Sequence, residues 1–219
     1  MPSSPDPVPA TPAAFMTTAP PPPQSPAADK GVREEQLVSI AARLFSQKGY
    51  EATSLRDIAE AAGISKAALY YWFPEKNSLF VRVVSNRFDT LLSKVQAAVD
   101  AARAPEDRVA AFMLCCAGLI DNDRVGWTAS SNAFWSNFDP AVREQLVPQR
   151  DRFEKLLRRC IQDAIDAGAL RPVDAGIATR FLLSSLNMLP RWHRAGGPLS
   201  AVDVMTQFMD MAMHGLSSR

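Results

Sequence analysis

Residues 63–73 read GISKAALYYWF: a glycine, a serine of the kind that starts helices, a lysine, two alanines, then a run of large apolar and aromatic side chains. One short segment thus carries two unlike surfaces, small and polar at its front and bulky behind. The residues around it decide what that is for. Upstream, Thr53-Ser54 with Asp57 three residues past the serine is a capping signature. The helix it opens carries Leu55, Ile58, Ala59 and Ala62 on one side and stops at Gly63. Ser65 then caps a second short helix that runs to about Trp72. Further upstream, Leu37, Ile40, Ala41, Leu44 and Phe45 follow i, i+3, i+4, i+7, i+8, one face of an amphipathic helix that ends at Lys48-Gly49. Ala59, Gly63 and Leu69 hold the spacing of a helix-turn-helix. A small residue lets the two helices cross closely, a glycine takes the positive φ of the sharp turn, and an apolar residue locks the second helix underneath.

Downstream the helical period continues. Pro74 precedes a long helix over about 76–101, with Leu79, Phe80, Val83, Val84, Phe88, Leu91, Leu92 and Val95 in phase. Another follows Pro105, with Val109, Phe112, Met113, Cys116 and Ile120 inward. The stretch 121–138 reads as a less regular helix. Asp139-Pro140 is an N-cap followed by an N1 proline, and the helix beyond is expected to bend or restart at Pro148 and end near Gly168. Asp174 opens a helix to Leu189 with Phe181 and Leu182 facing in, and Ser200 with Asp203 caps a last one. No segment has strand period. The expectation is an all-α fold of about nine helices. Residues 1–30, rich in Pro and Ala, form a disordered tail; residues 31–78 form a three-helix head; residues 79–219 form a larger helical domain.

Composition narrows the function classes. The 219 residues include 47% hydrophobic and 21% charged residues with a net charge of +1, so the chain is globular and no polycation, although a local basic face stays open. No basic n-region precedes an apolar run at the start, and no stretch is long and apolar enough to span a membrane. Three cysteines, two of them adjacent, make a poor disulfide framework. These features point to a cytoplasmic protein. No nucleophile–base–acid set, phosphate loop or metal spacing is present, so an enzyme is disfavoured and neither cofactor nor metal is expected.

Within a helix-turn-helix the exposed positions become readable. Ser65, Lys66, Ala67 and Ala68 lie at the end that a recognition helix offers to base edges in the major groove. Tyr70 and Tyr71 can give hydroxyls to backbone phosphates. Thr53, Ser54 and Lys76 are placed to hold phosphates. Phe73 packs back on the head, and Trp72 suits either surface. The competing reading makes Ser65 only a cap and the tyrosines only a core edge; the whole constellation at these spacings favours DNA.

Residues 37–80 resemble the DNA-binding domain of the tetracycline-repressor (TetR) family. The resemblance rests on Ala41, Leu44 and Phe45, on Gly49-Tyr50 with Thr53-Ser54, on Ile58-Ala59 with Ala62-Gly63-Ile64-Ser65, and on Tyr70, Phe73 and Lys76. Trp72 departs from the histidine or tyrosine common there. The resemblance implies a C-terminal domain for effector binding and dimerisation, with the helices of 150–167 and 174–190 similar to a four-helix dimer interface. Their apolar faces suit an interface or a core. It further implies a homodimer on an inverted-repeat operator of double-stranded DNA, most often as a repressor, released by a small hydrophobic effector. Candidate effector-binding residues are Phe112, Met113, Trp127, Phe134, Trp135, Phe181, Trp192 and His193. The stretch PRWHRAGGPLS (190–200) resembles a tract of family members that sense acyl-CoA thioesters, against the alternative of a solvated helix end. An aromatic xenobiotic as effector, and a helical interaction protein that keeps the head only as scaffold, are the competing readings.

Overall fold

Local side-chain capping, by Ser54, Ser65, Asp174 and Ser200, sets four of the helix starts. The computed structural model describes residues 26–128 and 140–215, with side chains from Arg33 onward. Among them are eight helices: α1 Pro26–Lys48, α2 Leu55–Ala61, α3 Lys66–Trp72, α4 Lys76–Ala101, α5 Pro105–Asn122, α6 Pro140–Asp166, α7 Ala175–Trp192 and α8 Ala201–His214. A further helical stretch begins at 124–128. Helix α1 starts inside the stretch read as tail, because a proline is tolerated in a first turn where its missing N–H has no partner to lose. Pro148 lies inside α6 without ending it, which corrects the expected restart.

The helices bury their apolar faces in two clusters. The head cluster joins α1, α2 and α3 (Leu37, Ala41, Phe45, Ile58, Leu69) to Leu79, Phe80, Val83 and Val84 of α4. Val142 and Leu146, from the start of α6, complete it. The body cluster contains Val95 and Val99 of α4 with the inner faces of α5, α6, α7 and α8. Helix α4 therefore belongs to both. Between Val84 and Val95, a rise of about 16 Å along the helix axis, it has no fully buried residue.

The expected interface-or-core faces resolve differently on the two helices. On α6, Phe153, Leu156, Leu157, Cys160 and Ile161 are all in the body core. On α7, Leu182, Leu186 and Leu189 are in the core. Phe181, expected inward, is 63% exposed, and Ile177, Met188 and Trp192 on the same face are about as open. Asp121, near the end of α5, accepts the N–H groups of Ala201 (2.9 Å) and Val202 (3.3 Å) and so anchors the start of α8. No helix among the described residues is long and apolar enough to cross a membrane.

Candidate nucleic-acid interface and effector cavity

The turn between α2 and α3 is closed by backbone bonds from Ala62 to Ile58, Gly63 to Glu60 and Ile64 to Ala59. Gly63 sits at φ +64°, a left-handed conformation that a side chain would strain. Ser54 caps α2 with a full capping box: its hydroxyl accepts the Asp57 N–H, and its own N–H donates to the Asp57 carboxylate at 2.8 Å. Those bonds to the charged form hold the Asp57 carboxyl below the ordinary carboxylate value. Ser65 caps α3 by accepting the Ala68 N–H at 3.1 Å.

Helix α3 then divides as its sequence suggests. Leu69 is fully buried and Phe73 nearly so, whereas Ser65, Lys66, Ala67, Ala68, Tyr70 and Tyr71 are exposed, Tyr71 by 73%. Trp72 is half-buried against the head cluster. The Lys66 ammonium lies over the Tyr70 ring at 5.3 Å. The Lys76 ammonium lies over the Tyr50 ring at 4.0 Å and donates to the Glu51 carbonyl at 3.4 Å. A concavity of about 410 Å³ gathers Ser54, Lys66, Tyr70 and Lys76 on its walls.

Thr53 is a correction. It is buried, and its hydroxyl donates to the Gly49 carbonyl at 2.7 Å, so it secures the turn after α1 and is turned away from a phosphate. Arg56, on the wall of the same concavity and with a largely exposed side chain, was not selected from the sequence. The available signal was a cation in the first turn of the helix that Thr53 and Ser54 lead into.

A second cavity, of about 700 Å³, opens beside the middle of α4. Helix α4 gives it Val83, Asn86, Arg87, Thr90, Leu91 and Lys94, an i, i+3, i+4 stripe over three turns, together with Phe88. Helix α1 contributes Glu35, Val38, Ser39 and Ala42, and α7 contributes Arg180, Leu183, Ser184 and Asn187. Arg150, Phe153 and Glu154 of α6 and Leu119, Asn122, Asp123, Gly126 and Trp127 close the remaining sides. The buried side chains of the wall are apolar (Val38, Val83, Phe153), and its exposed ones are polar (Glu35, Ser39, Thr90, Lys94, Arg180). An occupant thus meets a dry surface inside and a charged one at the mouth.

Of the expected effector contacts, Trp127 alone lines this cavity among the described residues; its indole N–H is buried with no hydrogen-bond partner. Phe112 and Met113 are wholly buried in the body core, where Phe112 meets the Phe153 ring at 4.8 Å. Phe181 faces solvent. Trp192 is half-exposed and packs on Phe208. His193 is a buried strut: Arg124 donates to its backbone carbonyl and, at 2.6 Å, to its Nδ1, while Nε2 donates to the Leu199 carbonyl at 2.8 Å. Phe134 and Trp135 lie outside the described residues. Phe112 and Met113 go to the core, where large apolar side chains stabilise most, whereas the cavity wall is built largely of small and polar residues.

Residues 37–83 match the family described as bacterial regulatory proteins of the tetR family, and residues 102–216 match the tetracyclin repressor-like C-terminal domain. The chain is similar to the HTH-type transcriptional repressor KstR2 of Mycolicibacterium smegmatis, 28% identical over 91% of this chain and 96% of that one. Among solved structures, the regulator PfmR from Thermus thermophilus is 32% identical, with a TM-score of 0.71 over 84% of this chain and 100% of that one. AibR, solved with isovaleryl coenzyme A and operator DNA, shares the fold at 22% identity, with a TM-score of 0.71 over 83% of this chain and 98% of that one.

Proposed function

The chain belongs to the TetR family of bacterial transcriptional regulators, and from that premise we propose that it is a homodimeric repressor that holds an inverted-repeat operator until an effector fills the cavity beside α4. As a member of that family it is a regulator and not an enzyme. The observation that carries the operator reading is the split of α3: a buried Leu69 beneath an exposed row of Ser65, Lys66, Ala67 and Ala68. Small side chains let that row approach base edges, while Ser54, Tyr70 and Lys76 surround it with donors for the phosphates. One head reads too few base pairs, and a twofold dimer reads two half-sites of matching symmetry. The seam is the exposed row Ile177, Phe181, Met188 and Trp192 on α7.

The effector is a molecule with an apolar part and an acidic part, for which a coenzyme A thioester of a lipid-degradation acid is the leading candidate. Support comes from the dry interior and charged mouth of the cavity, and from the isovaleryl coenzyme A in AibR on the same fold. Trp127, Phe88 and Phe153 on the wall favour an aromatic xenobiotic as the second reading. Helix α4 links the sites, because Val83 and Val84 belong to the head core and Leu91 to the cavity wall.

The test begins with selection of bound sequences from random duplex DNA. Recovery of an inverted repeat is expected, and substitution of Lys66 or Ala67 should change the selected sequence. Failure to select any DNA sinks the operator reading. Gel shifts on that operator with isovaleryl-CoA and octanoyl-CoA then test release; release by an aromatic compound and by neither thioester would favour the second effector.

A further inference from the structure

We propose that Arg87 recognises an anionic group of the effector, and that it does so by giving up Asp123 in exchange. The inference rests on the effector reading above. Arg87 lies in the stretch of α4 without buried anchors, three residues after Val84 and eight before Val95. Its guanidinium pairs with Oδ2 of Asp123, the residue that ends α5. The other carboxylate oxygen accepts the Gly126 N–H at 2.9 Å. One carboxylate therefore ties α4 to the start of the helical stretch that follows α5, and Arg87, Asp123, Gly126 and Trp127 all line the cavity.

The fit is close. A Cβ on Gly126 would lie 1.4 Å from Arg87 Nη2 and 2.2 Å from its Cζ, so the guanidinium occupies the space of a side chain at 126. The pair is also exchangeable: the two side chains are 30% and 52% exposed, and water screens a pair of that kind. A phosphate or carboxylate offers the same fork geometry to a guanidinium that Asp123 does. The other ion pairs of α4 are used differently. Arg82 holds Glu34 of α1, and Asp89 of α4 is held by Arg152 of α6; neither pair lines the cavity. Lys94 does line it, but it is exposed and no ion pair of it exists among the described residues, so its capture would release nothing. Capture of Arg87 frees Asp123 and uncouples α4 from the helical stretch 124–128, which gives an acidic effector purchase on the helix that carries the DNA head.

The experiment has two arms, on the full-length protein and the selected operator. Titration calorimetry compares octanoyl-CoA with octanoyl-pantetheine, the same thioester without the phosphates and the adenosine they join. Asp123→Asn should bind octanoyl-CoA about two- to fivefold tighter and the neutral thioester unchanged. Arg87→Gln should lose about tenfold or more for octanoyl-CoA alone, with Arg87→Lys recovering part of it. Gel shifts without ligand form the second arm. Both Asp123→Asn and Gly126→Ala, which expels the guanidinium, should weaken operator binding about two- to fivefold, with wild-type helical circular dichroism. Asp123→Asn that binds octanoyl-CoA no tighter, or holds the operator as wild type does, overturns the exchange. A wild-type protein that binds no CoA thioester refutes the effector reading instead, and the exchange is then decided by the operator affinities of the two variants.

Discussion

Phe181→Glu should separate the two protomers while leaving each folded. Phe181 is 63% exposed, and a phenylalanine side chain buries about 150–250 Å² when fully covered, so roughly 100–150 Å² of it awaits a partner. Twofold symmetry doubles that to roughly 200–300 Å², which at about 25 cal/mol per Å² amounts to roughly 5–7 kcal/mol gross. Area overstates association, because immobilised side chains and lost rigid-body freedom oppose it. If about half survives, about 3 kcal/mol remains, or about a hundredfold in the dimer Kd. Sedimentation velocity over a range of protein concentrations reads this directly, and operator affinity should fall with it. The neighbouring Leu182→Ala is the control. Leu182 faces the body core at 6% exposure, so its truncation should cost about 2–5 kcal/mol of protomer stability and lower Tm. A Phe181→Glu protein that dimerises within about threefold of wild type would refute the assignment of the α7 face as the seam.

Lys76→Ala should weaken binding to all operator variants alike and lower the salt slope by about one; a loss confined to particular sequences would contradict a phosphate contact. Thr53→Val removes the bond to the Gly49 carbonyl and should cost about 1–3 kcal/mol in urea unfolding without altering the salt slope of DNA binding. A flattened slope with full stability would return Thr53 to the phosphates. The Asp57 carboxyl has a lowered folded-state pKa from its bonds to Ser54. Its contribution is therefore present above the ordinary carboxylate value and lost as pH falls through the folded one, below about pH 4. The stability gap between wild type and Asp57→Asn should shrink from pH 6 to pH 3, and a constant gap would refute the cap's role in acid sensitivity.

What was legible in the sequence was local. Ser54 with Asp57, Ser65, Asp174 and Ser200 with Asp203 each cap a helix by bonding within three residues, and no distant group is needed to place such a bond. Gly63 likewise marks the turn by its own φ. The buried face of α5 followed from period and Leu69 of α3 from the helix-turn-helix spacing, with Leu69, Phe112, Met113, Cys116 and Ile120 all in the core. Pro148 misled because a proline costs one N–H. Val142 and Leu146 before it and Phe153 and Leu156 after it are buried against separate clusters, and that packing carries α6 through.

The cavity was not legible, since a wall is made by residues that meet across helices. Arg87 and Asp123 are 36 positions apart, and neither belongs to any local motif. Helix α7 shows why most clearly. Its buried residues Leu182, Leu186 and Leu189, its open row Ile177, Phe181, Met188 and Trp192, and its cavity row Arg180, Leu183, Ser184 and Asn187 form three stripes. The first two are alike in composition, so hydrophobic period identifies a face without saying what covers it. The sequence by itself determined an all-helical chain with a DNA-reading head, because caps, turns and a two-surfaced recognition helix are short-range chemistry. Only the tertiary structure decided which apolar stripe is core, that Thr53 turns inward, and that Arg87 meets Asp123 over Gly126, because each depends on where a second helix lies.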